Sequence, residues 1–196
     1  NLFDTKSNTY THFKQNQEKP NSITSNGIAS MVFDENNGVW LGTIDGGLNL
    51  FDLTTNKFTS YVHDPANENT ISHNIILPIF KQDNETLWIG TLNGIYKLTQ
   101  GTNKTTYIEN NGLIDVKIND ISFNNEKIIL ATDHGIYIFN DSLNKIETII
   151  TEKNGLINNQ CKITRINKNI IWVGTNSGIS KIELNTNGVT VKKAVN

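Results

Sequence analysis

The sequence carries a single cysteine, Cys161, so no disulfide can form within the chain. A chain of 196 residues does not need such staples, and the count therefore says nothing about redox compartment. It also lacks an excess of charge of either sign. Seventeen basic residues against nineteen acidic ones leave a formal charge of −2, with lysines spread along the chain rather than clustered. That excludes the electrostatic footprint expected of a protein that binds DNA, RNA or an anionic membrane. No run approaches the eighteen apolar residues of a membrane span, and Asn1-Leu2-Phe3-Asp4 has neither the basic start nor the apolar stretch of a signal peptide. The segment is expected to be soluble, although it fits a piece of an anchored protein. No stretch shows sustained helical spacing of apolar residues, so almost no helix is expected. Phosphate loop, nucleophile elbow, zincin motif and calcium loop are all missing from the pattern.

What is present is a repeat. Trp40-Leu41-Gly42-Thr43, Trp88-Ile89-Gly90-Thr91 and Trp172-Val173-Gly174-Thr175 share one pattern, and Ile129-Leu130-Ala131-Thr132 is a degenerate fourth copy. They recur at intervals of 48, 41 and 43 residues, the range of propeller blades. Around each copy lie four short strand-like runs divided by Asn, Asp and Gly. The predicted strands are 28–33, 39–43, 47–51 and 57–61; then 75–80, 87–91, 95–98 and 105–108; then 118–123, 128–132, 136–139 and 146–150; and lastly 161–166, 171–175, 179–183 and 189–193. Four strands per repeat predict an all-β fold, a β-propeller segment of four complete four-stranded blades. The blades are placed at 21–66, 67–109, 110–153 and 154–196. Residues 1–20 resemble residues 49–61 and are read as the outer half of a preceding blade, making the chain part of a larger array. First strands such as Ile28–Phe33 are apolar on both faces, as an inner strand between neighbours should be. Pro78 fits if that strand lies at a sheet edge.

The run Leu87-Trp88-Ile89-Gly90-Thr91-Leu92-Asn93-Gly94-Ile95, preceded by Asp64-Pro65 and by Asn69-Thr70-Ile71-Ser72-His73-Asn74, resembles the two-component regulator propeller repeat. So do Asn111-Gly112-Leu113 and Asn154-Gly155-Leu156. The resemblance implies the periplasmic sensor region of a hybrid two-component histidine kinase, responsive to carbohydrate and not itself an enzyme. Implied partners are an oligosaccharide, neighbouring blades or domains of the same receptor, and a second receptor chain in a homodimer. Contact of this segment with the membrane is not implied.

Candidate ligand-binding residues follow from the topology. In an antiparallel blade, the turn after strand two and the loop entering strand one share an end. Aligning first strands on Phe33, Phe80, Phe123 and Ile166 gathers Gly27, Asn74, Lys117 and Gln160 at one mouth, with His73 beside them and Asp45, Asn93, His134 and Asn176 farther out. An amide-rich rim suits a neutral polyhydroxylated ligand, but Asn and Asp are also ordinary turn residues. Trp40, Trp88 and Trp172 are read as packing between blades rather than as sugar platforms, and Cys161 as a small core residue aligned with Ile28, Ile75 and Ile118. The four histidines and Cys161 lack metal-ligand spacing, so neither metal nor cofactor is expected. Two rival functions remain: an interaction scaffold, marked by an exposed apolar patch, and a lyase or hydrolase, which would need clustered acid and base groups.

Overall fold

A computed structural model describes residues 1–67, 69–100, 104–107, 113, 115–124, 127–185 and 188–193. Of the expected features, Ile108 and the Asn111-Gly112 pair lie outside the described residues. The fold is all-β, with a single 3₁₀ turn among the described residues, at Glu152–Asn154. An N-terminal ribbon pairs β1 (Leu2–Asp4) with β2 (Thr9–Thr11). Four antiparallel four-stranded sheets follow, each a meander in chain order and none closed on itself. Sheet 1 holds β3 (Ile28–Asp34), β4 (Gly38–Thr43), β5 (Leu48–Asp52) and β6 (Lys57–Tyr61). Sheet 2 holds β7 (Ile76–Lys81), β8 (Thr86–Thr91), β9 (Gly94–Thr99) and β10 (Lys104–Tyr107). Sheet 3 holds β11 (Ile118–Asn124), β12 (Lys127–Thr132), β13 (Gly135–Asn140) and β14 (Lys145–Ile150). Sheet 4 holds β15 (Cys161–Asn167), β16 (Ile170–Thr175), β17 (Gly178–Asn185) and β18 (Gly188–Lys193).

The repeated tetrapeptide sets the geometry of each sheet. Its threonine braces the turn between the second and third strands: the hydroxyls of Thr43, Thr91, Thr132 and Thr175 donate to the carbonyls of Gly47, Gly94, Gly135 and Gly178. The same hydroxyls accept from the backbone N–H of Gly46, Asn93, His134 and Ser177. Its glycine, or Ala131, faces a bulge on the first strand, where the register slips after Ile28, Ile76, Ile118 and Cys161. A methyl on Gly90 would meet Pro78 Cγ at 2.5 Å and Ile118 Cγ2 of the next sheet at 2.8 Å. Gly42 faces Ile76 Cγ2 in the same way, at 2.8 Å. Small residues stand here so that the following sheet can seat its first residue.

The sheets stack in sequence, and the core lies between them. Trp40 and Leu48 of sheet 1 pack on Ile76, Leu87, Ile89 and Leu98 of sheet 2. Trp88 and Ile95 of sheet 2 pack on Ile118, Ile128, Leu130 and Phe139 of sheet 3. Ile129, Ala131, Ile136 and Ile138 of sheet 3 pack on Cys161, Ile171, Val173 and Ile182 of sheet 4. First strands are neighbours down the series, β3 beside β7, β7 beside β11 and β11 beside β15. Pro78 lies on β7, an edge strand, where its missing N–H costs no ladder bond.

Two expectations are corrected. First strands are not uniformly enclosed: Ile28, Met31 and Phe33 on β3 and Ile163 on β15 are exposed, because these strands belong to the two end sheets. Alignment on phenylalanine is also wrong by one residue in the second repeat. Pairing places Phe80 opposite Trp88, whereas Val32 is opposite Trp40. Cys161 therefore aligns with Ile28, Ile76 and Ile118 rather than with Ile75.

Candidate functional site

The mouth is the end of the sheets where the braced turns meet the loops entering the first strands. Backbone bonds fix that meeting. The N–H groups of Gly47, Gly94 and Gly135 donate to the carbonyls of Asn74, Val116 and Asn159 in the loop leading to the next sheet. Gly47 and Gly135 can offer those N–H groups because both sit at positive φ, +73° and +113°, a conformation glycine adopts without strain.

The corrected register changes who shares a position. Ile75, not Asn74, stands with Gly27, Lys117 and Gln160, while Asn74 belongs with Asn26 and Asn159. Those three asparagines do one job. The side-chain oxygens of Asn26, Asn74 and Asn159 accept from the backbone N–H of Gln15, His63 and Glu152, pinning the base of each connecting loop. In the last case Glu152 Oε1 accepts in return from the N–H of Asn159. Sequence reading missed this role; the signal was Asn two residues before Ile28, Ile76 and Cys161.

The other predicted rim residues divide into committed and available. His73 Nδ1 accepts from the N–H of Ile75, and Asn93 Oδ1 accepts from the N–H of Asp115. Both shape loops. Asp45 and His134 are exposed at the tips of the turns. Asn176 Nδ2 donates to Gln160 Oε1, and the N–H of Asn176 donates to the Gln160 carbonyl, so these two form one exposed amide pair.

Between sheets 3 and 4 the mouth is charged. Asp133 Oδ1 accepts from Lys162 Nζ at 2.9 Å and from Asn119 Nδ2 at 2.7 Å, with Lys117 Nζ 4.0 Å from Oδ2. Partial burial works to raise the Asp133 carboxyl, but those donors and the two lysine charges outweigh it and hold the group below the usual carboxylate range. Two cations about one carboxylate leave a net positive spot, half exposed, beside His134 and the Gln160–Asn176 pair. Such a surface can hydrogen-bond hydroxyls and attract an acidic group. Among the described residues, no three His, Cys, Asp or Glu side chains converge on a point that could hold a metal. Cys161 is fully buried, and burial pushes its thiol up to about 12, far from the range of a nucleophile or ligand.

The tryptophans do not share one environment. Trp40 and Trp88 are enclosed, at 1% and 0% exposure, as inter-sheet packing requires; Trp172 is 44% exposed on the outward face of sheet 4. The packing reading therefore holds for two of the three.

No protein-family model and no curated protein matches the chain. Solved structures do. The extracellular domain of the hybrid two-component system BT3049 from B. thetaiotaomicron matches over 92% of the chain and 25% of its own length, with a TM-score of 0.77 and 22% identity. The extracellular domain of the one-component system BT4673 from the same organism matches over 91% of the chain and 24% of its own, with a TM-score of 0.72 and 20% identity. PorZ, a surface component of the type-IX secretion system of Porphyromonas gingivalis, matches over 90% and 28%, with a TM-score of 0.69 and 18% identity. The chain spans about a quarter of the length of these proteins. At this identity the likeness shows the fold alone: an all-β chain of successive antiparallel sheets.

Proposed function

We propose that the chain is part of the sensor region of a two-component receptor on the periplasmic side of the membrane, and that its four sheets are consecutive blades of a β-propeller array. The observation that carries this reading is the likeness, over 92% of the chain, to the extracellular domain of a hybrid two-component system. The side-by-side order of β3, β7, β11 and β15 supports the blade assignment, since first strands line the axis of a propeller.

Within that reading the segment binds and relays; it performs no chemistry. The ligand is an oligosaccharide held at the mouth by Lys117, His134, Gln160 and Asn176, with Asp45 farther along the rim. His73, Asn74 and Asn93 support the mouth indirectly, through the loops they pin. Binding can signal only if the ligand prefers one of two receptor arrangements. The stacked sheets share continuous apolar cores, so the movement is assigned to junctions with other domains or with a second receptor chain.

The test is a thermal-shift screen of the complete ectodomain against neutral and acidic plant and host oligosaccharides, repeated on Lys117→Ala/Gln160→Ala. Stabilisation by one glycan class that is lost in the variant is the expected result. Stabilisation retained in the variant removes the site from this mouth, and no shift with any glycan overturns the carbohydrate reading. A second reading, an interaction scaffold, has one observation in its favour: Met31, Phe33, Ile163, Trp172 and Ile179 are large, apolar and exposed.

A further inference from the structure

A cavity of about 670 Å³ lies against the outer edge of sheet 1 and shares no residue with the mouth. Its walls are the loop that enters β3 and the start of β6. Phe13, Pro20 and Phe58 form its apolar side, and Lys14, Lys19 and Lys57 stand among its polar residues. β6 is the last strand of its sheet, and the N–H of Phe58, on the free edge, donates to the Asn21 carbonyl at 3.1 Å. Loop and strand thus close one hollow between them, and every residue lining it falls within 12–22 or 56–58. Its size is that of a small-molecule site.

The charge of this hollow is unbalanced. Glu18 is the one carboxylate among the lining residues, so the three lysines leave two positive charges in excess. All three are exposed, and no carboxylate among the described residues lies within ion-pair distance of them, whereas Lys81, Lys97, Lys127 and Lys162 are each paired. The next connecting loop shows that folding does not require them. In the first loop the Asn16 N–H donates to Ser22 Oγ, which donates to the Asn16 carbonyl; in the second, Asp64 and Thr70 do the same. The bonds from Lys19 N–H to Asn16 and from Ser22 N–H to Lys19 recur from Asn67 to Asp64 and from Thr70 to Asn67. The side-chain oxygens of Asn16 and Asp64 likewise take the N–H of Glu18 and of Ala66. At this constant offset of 48 residues, Lys14 corresponds to Val62 and Lys19 to Asn67. One framework is built twice, and only the first of the two sets lysine at both positions.

We propose that this hollow binds a ring-bearing organic anion, its carboxylate or sulfate held by Lys14, Lys19 and Lys57 and the apolar face of its ring laid on Phe13 and Pro20. Ammonium groups give an oxyanion charge-assisted bonds, and a concave apolar wall focuses their field. Phe58 closes the floor at 6% exposure. It packs on Phe13 and Phe51, with ring centroids 5.7 and 4.6 Å away, so the platform is fixed before a ligand arrives. The bonds of the loop to itself and to β6 leave little ordering for the ligand to impose. An acidic sugar and an aromatic acid both have the required chemistry. The site is additional to the one at the mouth, whose contacts lie on sheets 3 and 4.

The test is calorimetric titration of the complete ectodomain at low ionic strength with two such anions, a disaccharide ending in glucuronate and phenylacetate. Inorganic sulfate supplies charge without a ring, and the glucose counterpart of the disaccharide a ring without charge. One of the two acids is expected to bind about tenfold or more tightly than either control. Glucuronate then marks the ligand as a sugar acid, phenylacetate as an aromatic one. Lys14→Val/Lys19→Asn, which gives the first loop the residues of the second, should weaken that binding about tenfold or more and leave the melting temperature unchanged. Lys14→Arg/Lys19→Arg should retain it, and salt at about 0.5 M should suppress it. Lys57→Gln, on β6, should weaken it too, and reads the site independently if the loop variant loses stability. Failure of both acids to bind overturns the proposal, as does sulfate binding as tightly as they do. Binding that survives Lys14→Val/Lys19→Asn also overturns it and places the acid elsewhere. The two sites share no residue, so failure here is distinct from failure of the sensor reading.

Discussion

Lys81 and Asp34 form a buried ion pair between β7 and β3, and removing one partner should cost far more than removing both. Lys81 Nζ lies 2.8 Å from Asp34 Oδ1, with the side chains 8% and 4% exposed. Gln100 Nε2 supports the same oxygen at 3.3 Å. At an effective dielectric constant of about 20, that separation is worth roughly 6 kcal/mol of attraction. Desolvating two ions costs several kcal/mol each, so the intact pair nearly breaks even. Lys81→Met leaves Asp34 buried with only amide donors, for an expected loss of about 3–5 kcal/mol. Asp34→Leu/Lys81→Met should fall within about 1 kcal/mol of the parent. Urea unfolding followed by the fluorescence of Trp40 and Trp88 measures all variants and gives the coupling between the two sites. The pH arm has a defined sign. Burial works to raise the Asp34 carboxyl, but the bonds from Lys81 and Gln100, the lysine charge and the N–H of Asn36 outweigh it and hold the group below its ordinary value. A depressed folded pKa stabilises above the unfolded value of about 3.9 and is lost as pH falls through the folded one. The stability gap between parent and Lys81→Met should therefore close below about pH 4. A single-variant cost under about 1 kcal/mol, or single costs that simply add in the double variant, would refute the reasoning.

Gly90→Ala should destabilise by about 1–3 kcal/mol, because its methyl would press on Pro78 and Ile118, and the loss should show as a lowered melting temperature. Asn159→Ala should cost about 1 kcal/mol and speed hydrogen exchange at the Glu152 amide without affecting Thr164, whose N–H donates to Asp120. Cys161 should resist alkylation in the folded chain even at pH above the usual thiol value of about 8.5, and react once urea exposes it; reaction in the native state would mean that the junction between sheets 3 and 4 opens readily.

Strand order was legible because alternating apolar runs and Asn-rich turns are local signals, and the recurring Trp-x-Gly-Thr located the second strand of three sheets. Even the place of Pro78 followed, since only an edge strand tolerates it. The alignment error came from treating Phe33 and Phe80 as equivalent. The same bulge recurs in all four first strands, so it does not separate the repeats; Phe80 stands where Val32 does and Lys81 where Phe33 does, and an aromatic residue one place early leaves no mark in the apolar pattern. Asp34 and Lys81 met because their sheets stack, a fact about tertiary neighbours that neither residue's surroundings in sequence encode. For the same reason, Trp172 looked like Trp40 and Trp88. Its exposure depends on what lies beyond it. At the mouth the sequence offers Asn74 as a candidate ligand contact, and its side chain, like those of Asn26 and Asn159, bonds the base of a loop; an asparagine suits either task, and its loop partner is a tertiary neighbour that the local sequence does not reveal.

The bonds from Gly47, Gly94 and Gly135 to the following loops involve main-chain atoms alone, so the splice between units is indifferent to side-chain identity. A gene encoding such units can duplicate or delete one without losing the splice, provided the glycine keeps its left-handed conformation. Order along the chain is then enforced elsewhere, by side-chain matches such as Lys97 with Asp141. Length is free to drift under duplication while neighbour identity is not, and copy number is the cheap variable on which selection in such proteins can act.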